Sequence, residues 1–553
     1  MQRIFVFVLL INSFFCYSQQ AYYFISFKDK DSTLLKSDPR LFLSEKSLAR
    51  RIKYNLPLLS VSDLPLKNNY LYKLDSSGIA IKTKSKWLNG VIVFCEKSNL
   101  QTLKNFDFVN DVKFIGYNTE EQNQSKEKID LEEKLILLES KFGIDKTTSN
   151  EISTNKNKFS DEYGAASKQI KMLKLDELHK KNFTGKDIAI AVIDAGFKNL
   201  NKNKYFNDLK ITSSYDFYSN NENVFDGDEH GTAVISCMAV NFKNNFIGSA
   251  PDANYLLYRS ETSSSEYPVE EYFWTCAAEM ADSAGADIIN TSLGYSKFDE
   301  SNLGHNYKEL NGNTTVISKA VNTAVSKGIL VFVSAGNEGD NFWRNLTTPG
   351  DADSAITIAA CDEEFEYTSF SSVGPTSNKK QKPDLAALGL NVKIISATGK
   401  IIDGKGTSYS CPIIAGAAAC LLQANLNASP SQIKMALQMS ATNYSNPDKF
   451  LGYGVPDLFL ADKLLKKYLN DTLLDVQIIN NKMHLTFYIN TPQKVEISFA
   501  SPIENEFWNT KEKIKKSSFV RIQIKHYKKI KQGVFVVKLK TNSGINYFQF
   551  EKK

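Results

Sequence analysis

Apolar residues gather into short runs whose spacing changes along the chain. Tyr22-Tyr23-Phe24-Ile25-Ser26-Phe27 reads as a strand, and Leu43 to Arg51 as a helix capped at Ser44. Val91-Ile92-Val93-Phe94 and Val112-Lys113-Phe114-Ile115 predict further strands, so residues 19–116 are expected to form a small α+β domain. Residues 117–162 are rich in Glu, Lys, Asn, Ser and Thr, with one helical pattern at Leu131 to Phe142. Lys146 to Asp161 holds almost no apolar residue and cannot bury enough surface to order itself. It reads as a solvated linker, the kind of segment where proteolytic nicking concentrates.

Residues 163–466 alternate buried strands with amphipathic or small-residue helices. Ile188 to Ile193 is a continuous apolar run, and Asp287 to Asn290 and Ile329 to Val333 are similar. Unbroken runs mark parallel strands covered on both faces. The alternation predicts an α/β fold with a doubly wound parallel sheet, whose ligands sit beyond the carboxyl ends of the strands. From about residue 472 the pattern is all β. Val534 to Leu539, Thr541-Asn542-Ser543-Gly544 and Tyr547 to Phe550 predict a β-hairpin. No fixed-period repeat is visible.

A chain of 553 residues with 42% hydrophobic residues accommodates several domains. Its 67 basic and 61 acidic residues nearly cancel and are dispersed, which argues against a nucleic-acid partner. Met1-Gln2-Arg3 followed by apolar Ile4 to Phe15 suits a secretory signal at residues 1–18, with Cys16 and Ser18 as the small residues before a cut at Gln19. That run is too short to cross a bilayer core of ~30 Å. Bulky Phe15 argues against a lipid anchor on Cys16. No later run suits a transmembrane segment, so the mature protein is expected to be soluble. The seven cysteines are sparse and without CxxC spacing, which predicts neither a disulfide framework nor a zinc site; one pairing remains open.

Four motifs at element boundaries carry candidate chemistry. Ala191-Val192-Ile193-Asp194-Ala195-Gly196 puts a carboxylate at the end of a buried strand. Asp228-Glu229-His230-Gly231-Thr232 opens an apolar helix with one of only five histidines. Ser334-Ala335-Gly336-Asn337-Glu338-Gly339 ends a strand with an amide donor that could face an oxyanion. Gly406-Thr407-Ser408-Tyr409-Ser410-Cys411-Pro412 places a hydroxyl at the positive end of a small-residue helix. Pro412 is expected to be tolerated there because the first helical turn has unpaired N–H groups anyway. Singly, each motif reads equally as a cap or turn: a carboxylate, a His or a Ser at an element end is common without any catalytic role.

Together, in the order Asp, His, Asn, Ser, these motifs resemble the subtilase family. The resemblance rests on Val192 to Gly196, His230-Gly231-Thr232, Ser334 to Gly339, and Gly406-Thr407-Ser408 with Pro412, and covers residues 163–466. It implies a serine endopeptidase acting on proteins or peptides. In that scheme Ser408 is the nucleophile, His230 the general base, Asp194 its orienting carboxylate and Asn337 an oxyanion donor. By the same resemblance Ser292-Leu293-Gly294 is an edge that pairs with the substrate backbone, with Gly336 also lining the cleft, and Gly294 leaves room for a substrate side chain. No cofactor or metal is required; structural calcium occurs in the family, but no ligand set can be named here. The alternative is an inactive binding protein of the same fold. An acid peptidase with Glu in place of His is disfavoured by His230, and an esterase by the absence of a Gly-x-Ser-x-Gly elbow at Ser408.

The flanks carry resemblances of their own. Tyr23 to Lys30 and Phe42 to Arg51 resemble the propeptide of subtilases from Bacteroidetes-type bacteria, implying an intramolecular chaperone and inhibitor removed by a cut between Lys146 and Tyr163. Gln493 to Ser498, Ile530 to Leu539 and Tyr547 to Lys553 resemble the sorting domain that directs cargo to the type IX secretion machinery, assigned to residues 472–553; a small β domain that docks substrate is the alternative. These resemblances imply export through the periplasm of a Gram-negative bacterium to the medium or cell surface, with a monomer as the default.

Overall fold

The computed structural model describes residues 20–117 and 161–470, and seven strands between 474 and 552. The predicted signal, the Leu131–Phe142 helix and nearly all of the linker lie outside the described residues.

In the N-terminal domain, β1 (Gln20–Phe27), β2 (Ile81–Ser85), β3 (Gly90–Glu96) and β4 (Val109–Tyr117) form an antiparallel sheet in the order β2-β3-β1-β4. Strand β1 has both faces buried, which explains its unbroken apolar run. Ala21, Tyr23, Ile25 and Phe27 point into the domain's own core with Leu66, Leu74 and Leu103. Tyr22 and Phe24 join Ile92 and Ile115 in a second core shared with the helix Val269–Ala284. There the rings of Tyr22 and Phe273 lie 5.9 Å apart, and those of Phe24 and Tyr272 4.7 Å. The predicted helix at Leu43–Arg51 is Glu45–Lys53, and the Ser44 hydroxyl caps it by accepting from Ser47 N–H at 3.2 Å.

The central domain is built on β5 (Ala189–Asp194), β6 (Lys210–Asp216), a short hairpin of β7 (Asn241–Phe242) and β8 (Phe246–Ile247), β9 (Asn254–Arg259), β10 (Ile288–Thr291), β11 (Leu330–Ser334), β12 (Ile356–Cys361) and β13 (Leu385–Leu388). Seven of these form one sheet in the order β13-β12-β11-β10-β5-β9-β6, with every pairing parallel. This is the α/β doubly wound architecture expected from the sequence. Helices His230–Ala239 and Thr407–Ala424 cover one face, Val269–Ala284 and Val316–Ser326 the other. All six residues of β5 are buried. Strand order reverses around β5, which has β9 on one side and the later β10 on the other, so a crevice opens beyond their carboxyl ends.

A hairpin of β14 (Val392–Ile395) and β15 (Ile401–Gly404) leads into the helix Thr407–Ala424, followed by helices Pro430–Met439 and Leu458–Asn470. Beyond them, β16 (Leu474–Ile479), β17 (Lys482–Ile489), β18 (Gln493–Ala500), β19 (Phe507–Ile514), β20 (Ser518–Ile524), β21 (Gly533–Thr541) and β22 (Gly544–Lys552) make two antiparallel sheets, β16-β17-β20 and β19-β18-β21-β22. The predicted C-terminal hairpin is β21–β22, with Thr541 opposite Gly544. All six described cysteines are buried and unpaired. Among the described residues no helix is long and apolar enough to cross a membrane.

Candidate active site

Asp194 is the last residue of β5 and is fully buried. Its Oδ1 accepts from Ala195 N–H at 2.9 Å and lies 2.7 Å from His230 Nδ1. Behind this turn Arg259, paired in register with Asp194 from β9, donates from Nε to the Ala195 carbonyl at 3.0 Å and from Nη1 to Asp216 at 3.0 Å. His230 is the first residue of its helix, and its backbone N–H is satisfied by Asp228 Oδ1 at 2.8 Å. The side chain keeps 28% exposure, enough to present the far ring nitrogen to the crevice. Burial alone would push the His230 pKa down. The charge and hydrogen bond of Asp194 outweigh it, Asp228 and Glu261 add to them, and the value is raised to about 9.

Ser408 is the second residue of the helix Thr407–Ala424, after Gly406, whose φ of +147° disfavours a side chain. Its hydroxyl donates to the Ser292 carbonyl at 3.3 Å, and among the described residues it makes no hydrogen bond to His230. The rings of His230 and Tyr409 are 6.2 Å apart, which brings the helix start beside the imidazole. Pro412 stands at the sixth helical position, past the first turn, so the expected reason for its tolerance does not hold. Its missing N–H leaves the Ser408 carbonyl without a helical donor, and Ser292 Oγ supplies one at 2.8 Å instead.

Asn337 follows β11 through Gly336, which has φ +101°, and its side chain is exposed. Its Oδ1 accepts from both the backbone N–H and the hydroxyl of Thr407, each at 2.9 Å. With the oxygen so fixed, the Nδ2 donor is left on the side of Gly406, where a Cβ would lie 3.3 Å from it. Thr407 Oγ1 also accepts from Gly336 N–H at 3.2 Å, so one hydroxyl ties the Asn loop to the Ser helix.

Ser292, Leu293 and Gly294 leave the end of β10 beside Ser408. Tyr295 then pairs with Thr348, at 2.8 Å from its N–H and 3.0 Å to its carbonyl. A Cβ on Gly294 would come within 2.0 Å of Thr347 Oγ1, and one on Gly336 within 2.7 Å of the same atom. The chain's own packing therefore demands both glycines, a reason that differs from the room for a substrate side chain expected at Gly294. The Tyr295 hydroxyl donates to Glu261, holding a carboxylate near His230. Sequence reasoning brought out Asp194, His230, Asn337, Ser408, Ser292, Leu293, Gly294 and Gly336, and all lie around the crevice at the strand ends. It missed Thr407, Arg259 and Glu261. Thr407 stood inside a quoted motif without a role. Arg259 ends β9 and Glu261 lies two residues beyond it, and nothing local in the sequence marks either.

The fold and this arrangement define an α/β serine hydrolase with the serine carried at a helix start. Residues 185–454 match the model described as the Subtilase family, and residues 22–130 that of the Peptidase S8 propeptide domain of Bacteroidota. The chain belongs to the subtilase family and is a serine-type endopeptidase. The propeptide match runs past the predicted domain end at residue 116 into the segment read as linker. The chain is similar to subtilisin DY of Bacillus licheniformis, 29% identical over 276 residues, or 50% of this chain and 90% of that one. It is likewise similar to subtilisin NAT of Bacillus subtilis subsp. natto, 29% identical over 281 residues, 50% of this chain and 66% of that one. Among solved structures, MycP1 from Mycobacterium smegmatis aligns at 21% identity with a TM-score of 0.43, covering 56% of this chain and 89% of that chain.

Proposed function

We propose that this chain hydrolyses peptide bonds of proteins through Ser408, His230 and Asp194. Ser408 Oγ attacks the scissile carbonyl carbon while its proton passes to His230 Nε2. The imidazolium, oriented by Asp194, then protonates the leaving amine, and an acyl-enzyme ester remains on Ser408. Water, deprotonated by His230, cleaves that ester. Asn337 Nδ2–H and the Ser408 backbone N–H stabilise the oxyanion. The extended Ser292-Leu293-Gly294 segment takes the substrate backbone as an added strand, and no metal or cofactor takes part. The observation that carries this reading is the 2.7 Å contact between Asp194 Oδ1 and His230 Nδ1, which sets the tautomer with Nε2 free to act as base.

In the same proposal the protein is secreted as a precursor whose N-terminal domain inhibits it until a cut between Lys146 and Tyr163. Residues 472–553 address it to the type IX machinery for release or surface attachment outside a Gram-negative cell, and the mature enzyme acts as a monomer. A second reading, an inactive binding protein, is favoured by one observation: the Ser408 hydroxyl turns to Ser292 O rather than to His230. Hydrogen bonds of this kind tighten in substrate complexes, which keeps the enzymatic reading in front. Labelling the matured protein with a fluorophosphonate, followed by mass spectrometry, separates the two. The enzymatic reading expects one adduct on Ser408 that is strongly slowed in His230→Ala. A folded, matured protein that takes no label is the binding protein.

A further inference from the structure

The N-terminal and central domains meet through the buried Glu279 carboxylate, which accepts from the Ser85 hydroxyl and from the Lys86 and Trp87 N–H groups at 2.8 and 3.0 Å, and at two further places of different chemistry. One is the apolar contact of β1 and β3 on the helix Val269–Ala284. The other is a cluster of five charged side chains, each at most 4% exposed: Arg50, Arg51 and Asp63 from the N-terminal domain, Asp282 and Lys327 from the central one. Arg50 pairs with Asp282 Oδ1, donates to the Ala286 carbonyl at 2.5 Å and to the Lys327 carbonyl at 3.1 Å. Arg51 bridges the domains, with Nη2 2.7 Å from Asp282 Oδ2 and both terminal nitrogens on Asp63, at 2.9 and 3.0 Å. Lys327 Nζ returns the contact, 2.7 Å from Asp63 Oδ1 and within 3.0 and 3.2 Å of the Ser62 and Ser60 hydroxyls.

The position of this cluster is informative. Asp282 lies in the last turn of a helix that leads into the start of β10, and Lys327 lies just before β11. Both therefore stand at the amino edge of the parallel sheet, the edge opposite the crevice that holds Asp194, His230 and Ser408. The cluster makes no contact with the catalytic groups, so it is independent of chemistry in the cleft. Its groups are also sensible only as an interface. Asp282 and Lys327 are hydrated if the N-terminal domain leaves, but would be stranded, buried and unpaired, under any domain lacking Arg50, Arg51 and Asp63.

We propose that Asp282 and Lys327, with the Ala286 and Lys327 carbonyls, form a dedicated docking site for the Arg50–Arg51–Asp63 face of the propeptide. This site retains the propeptide on the enzyme after the linker is cut and selects the cognate domain. The inference rests on the reading of residues 22–130 as a propeptide, but not on the catalytic assignments.

The test uses the full chain carrying Ser408→Ala, so that no self-digestion intervenes, with a recognition sequence for a site-specific protease inserted within residues 118–160. After cutting, dissociation of the two fragments is followed by gel filtration and by exchange against a labelled N-terminal fragment. Asp63→Asn and Lys327→Met form a cross-domain cycle, and Asp282→Asn reads the same site should Lys327→Met fail to accumulate. Each single change is expected to speed dissociation by about 10²–10³-fold, and the double change to fall well short of the product of the two. Wild-type fragments that separate at once, single variants within about threefold of wild type, or effects that simply multiply would overturn the proposal. Because Ser408 is absent throughout, failure of the catalytic reading would leave this result unchanged.

Discussion

Ser292 and Ser408 exchange two hydrogen bonds. The Ser292 hydroxyl donates to the Ser408 carbonyl at 2.8 Å, and the Ser408 hydroxyl donates to the Ser292 carbonyl at 3.3 Å. The first is made possible by Pro412, which removes the N–H that would otherwise occupy the Ser408 carbonyl. The end of β10 and the start of the serine-bearing helix are thus joined through side chain and main chain together.

Ser292→Ala should lose the donor to a carbonyl that Pro412 cannot serve. A cost of about 0.5–1.5 kcal/mol in stability is expected from losing one hydrogen bond to a half-buried acceptor. Acylation should slow by roughly tenfold as the helix start loosens, a drop of about 1.4 kcal/mol in transition-state stabilisation. Thermal unfolding and the rate of fluorophosphonate labelling check the two parts.

The acid limb of kcat/KM should follow His230. Protonated, it cannot accept the Ser408 proton, so activity is present above its pKa and is lost as pH falls through about 9. Glu261→Gln removes a negative charge that favours the imidazolium. The limb should then move to lower pH, with the plateau less affected, as a pH profile on a neutral peptide substrate would show.

Asn337→Leu should reduce kcat by ~10²–10³-fold with a smaller change in KM, the loss expected for one oxyanion donor. Thr407→Val should act in the same direction but more weakly, because it removes one of the two donors that hold the amide oxygen and leaves the amide itself in place. Steady-state kinetics of both variants, with the fold checked by circular dichroism, distinguish the donor from its anchor.

Gly336→Ala should destabilise the central domain. The added Cβ meets Thr347 Oγ1 at 2.7 Å and Ser372 Oγ at 2.8 Å on a backbone with φ +101°. A loss of about 2–4 kcal/mol is expected from clash and strain combined. Thr347→Ser in the same chain should leave most of the defect, because it keeps the hydroxyl that clashes, whereas Thr347→Ala should recover part of it. Denaturant unfolding of the three chains measures this.

Deleting residues 472–553 should leave peptide cleavage intact in purified protein while the chain accumulates before the outer membrane. Fractionation of a Gram-negative expression host carrying the type IX machinery reads the second part. Normal export of the truncated chain would remove the sorting role.

Local pattern was enough for much of the architecture. The runs at Ile188–Ile193, Asp287–Asn290 and Ile329–Val333 are three of the central parallel strands, displaced by no more than a residue or two at their ends. Ser44 capped a helix as its spacing implied, since a cap is a contact across a few residues. Pro412 was misjudged because its position was counted from an assumed helix start, and because its compensation comes from Ser292, far away in the chain.

What the sequence determined by itself was therefore whatever depends on near neighbours: the strand and helix runs, their alternation into an α/β sheet, and the element ends on which Asp194, His230, Asn337 and Ser408 stand. Hydrophobic periodicity records which face of an element is covered, and turn chemistry records where it stops. The tertiary structure alone decided which distant ends meet. It placed Thr407 between Gly336 and Asn337, Arg259 behind Asp194, and Arg50, Arg51 and Asp63 onto Asp282 and Lys327. Such contacts are set by strand order and domain docking, and a polar side chain in a short sequence window carries no mark of the partner that will satisfy it.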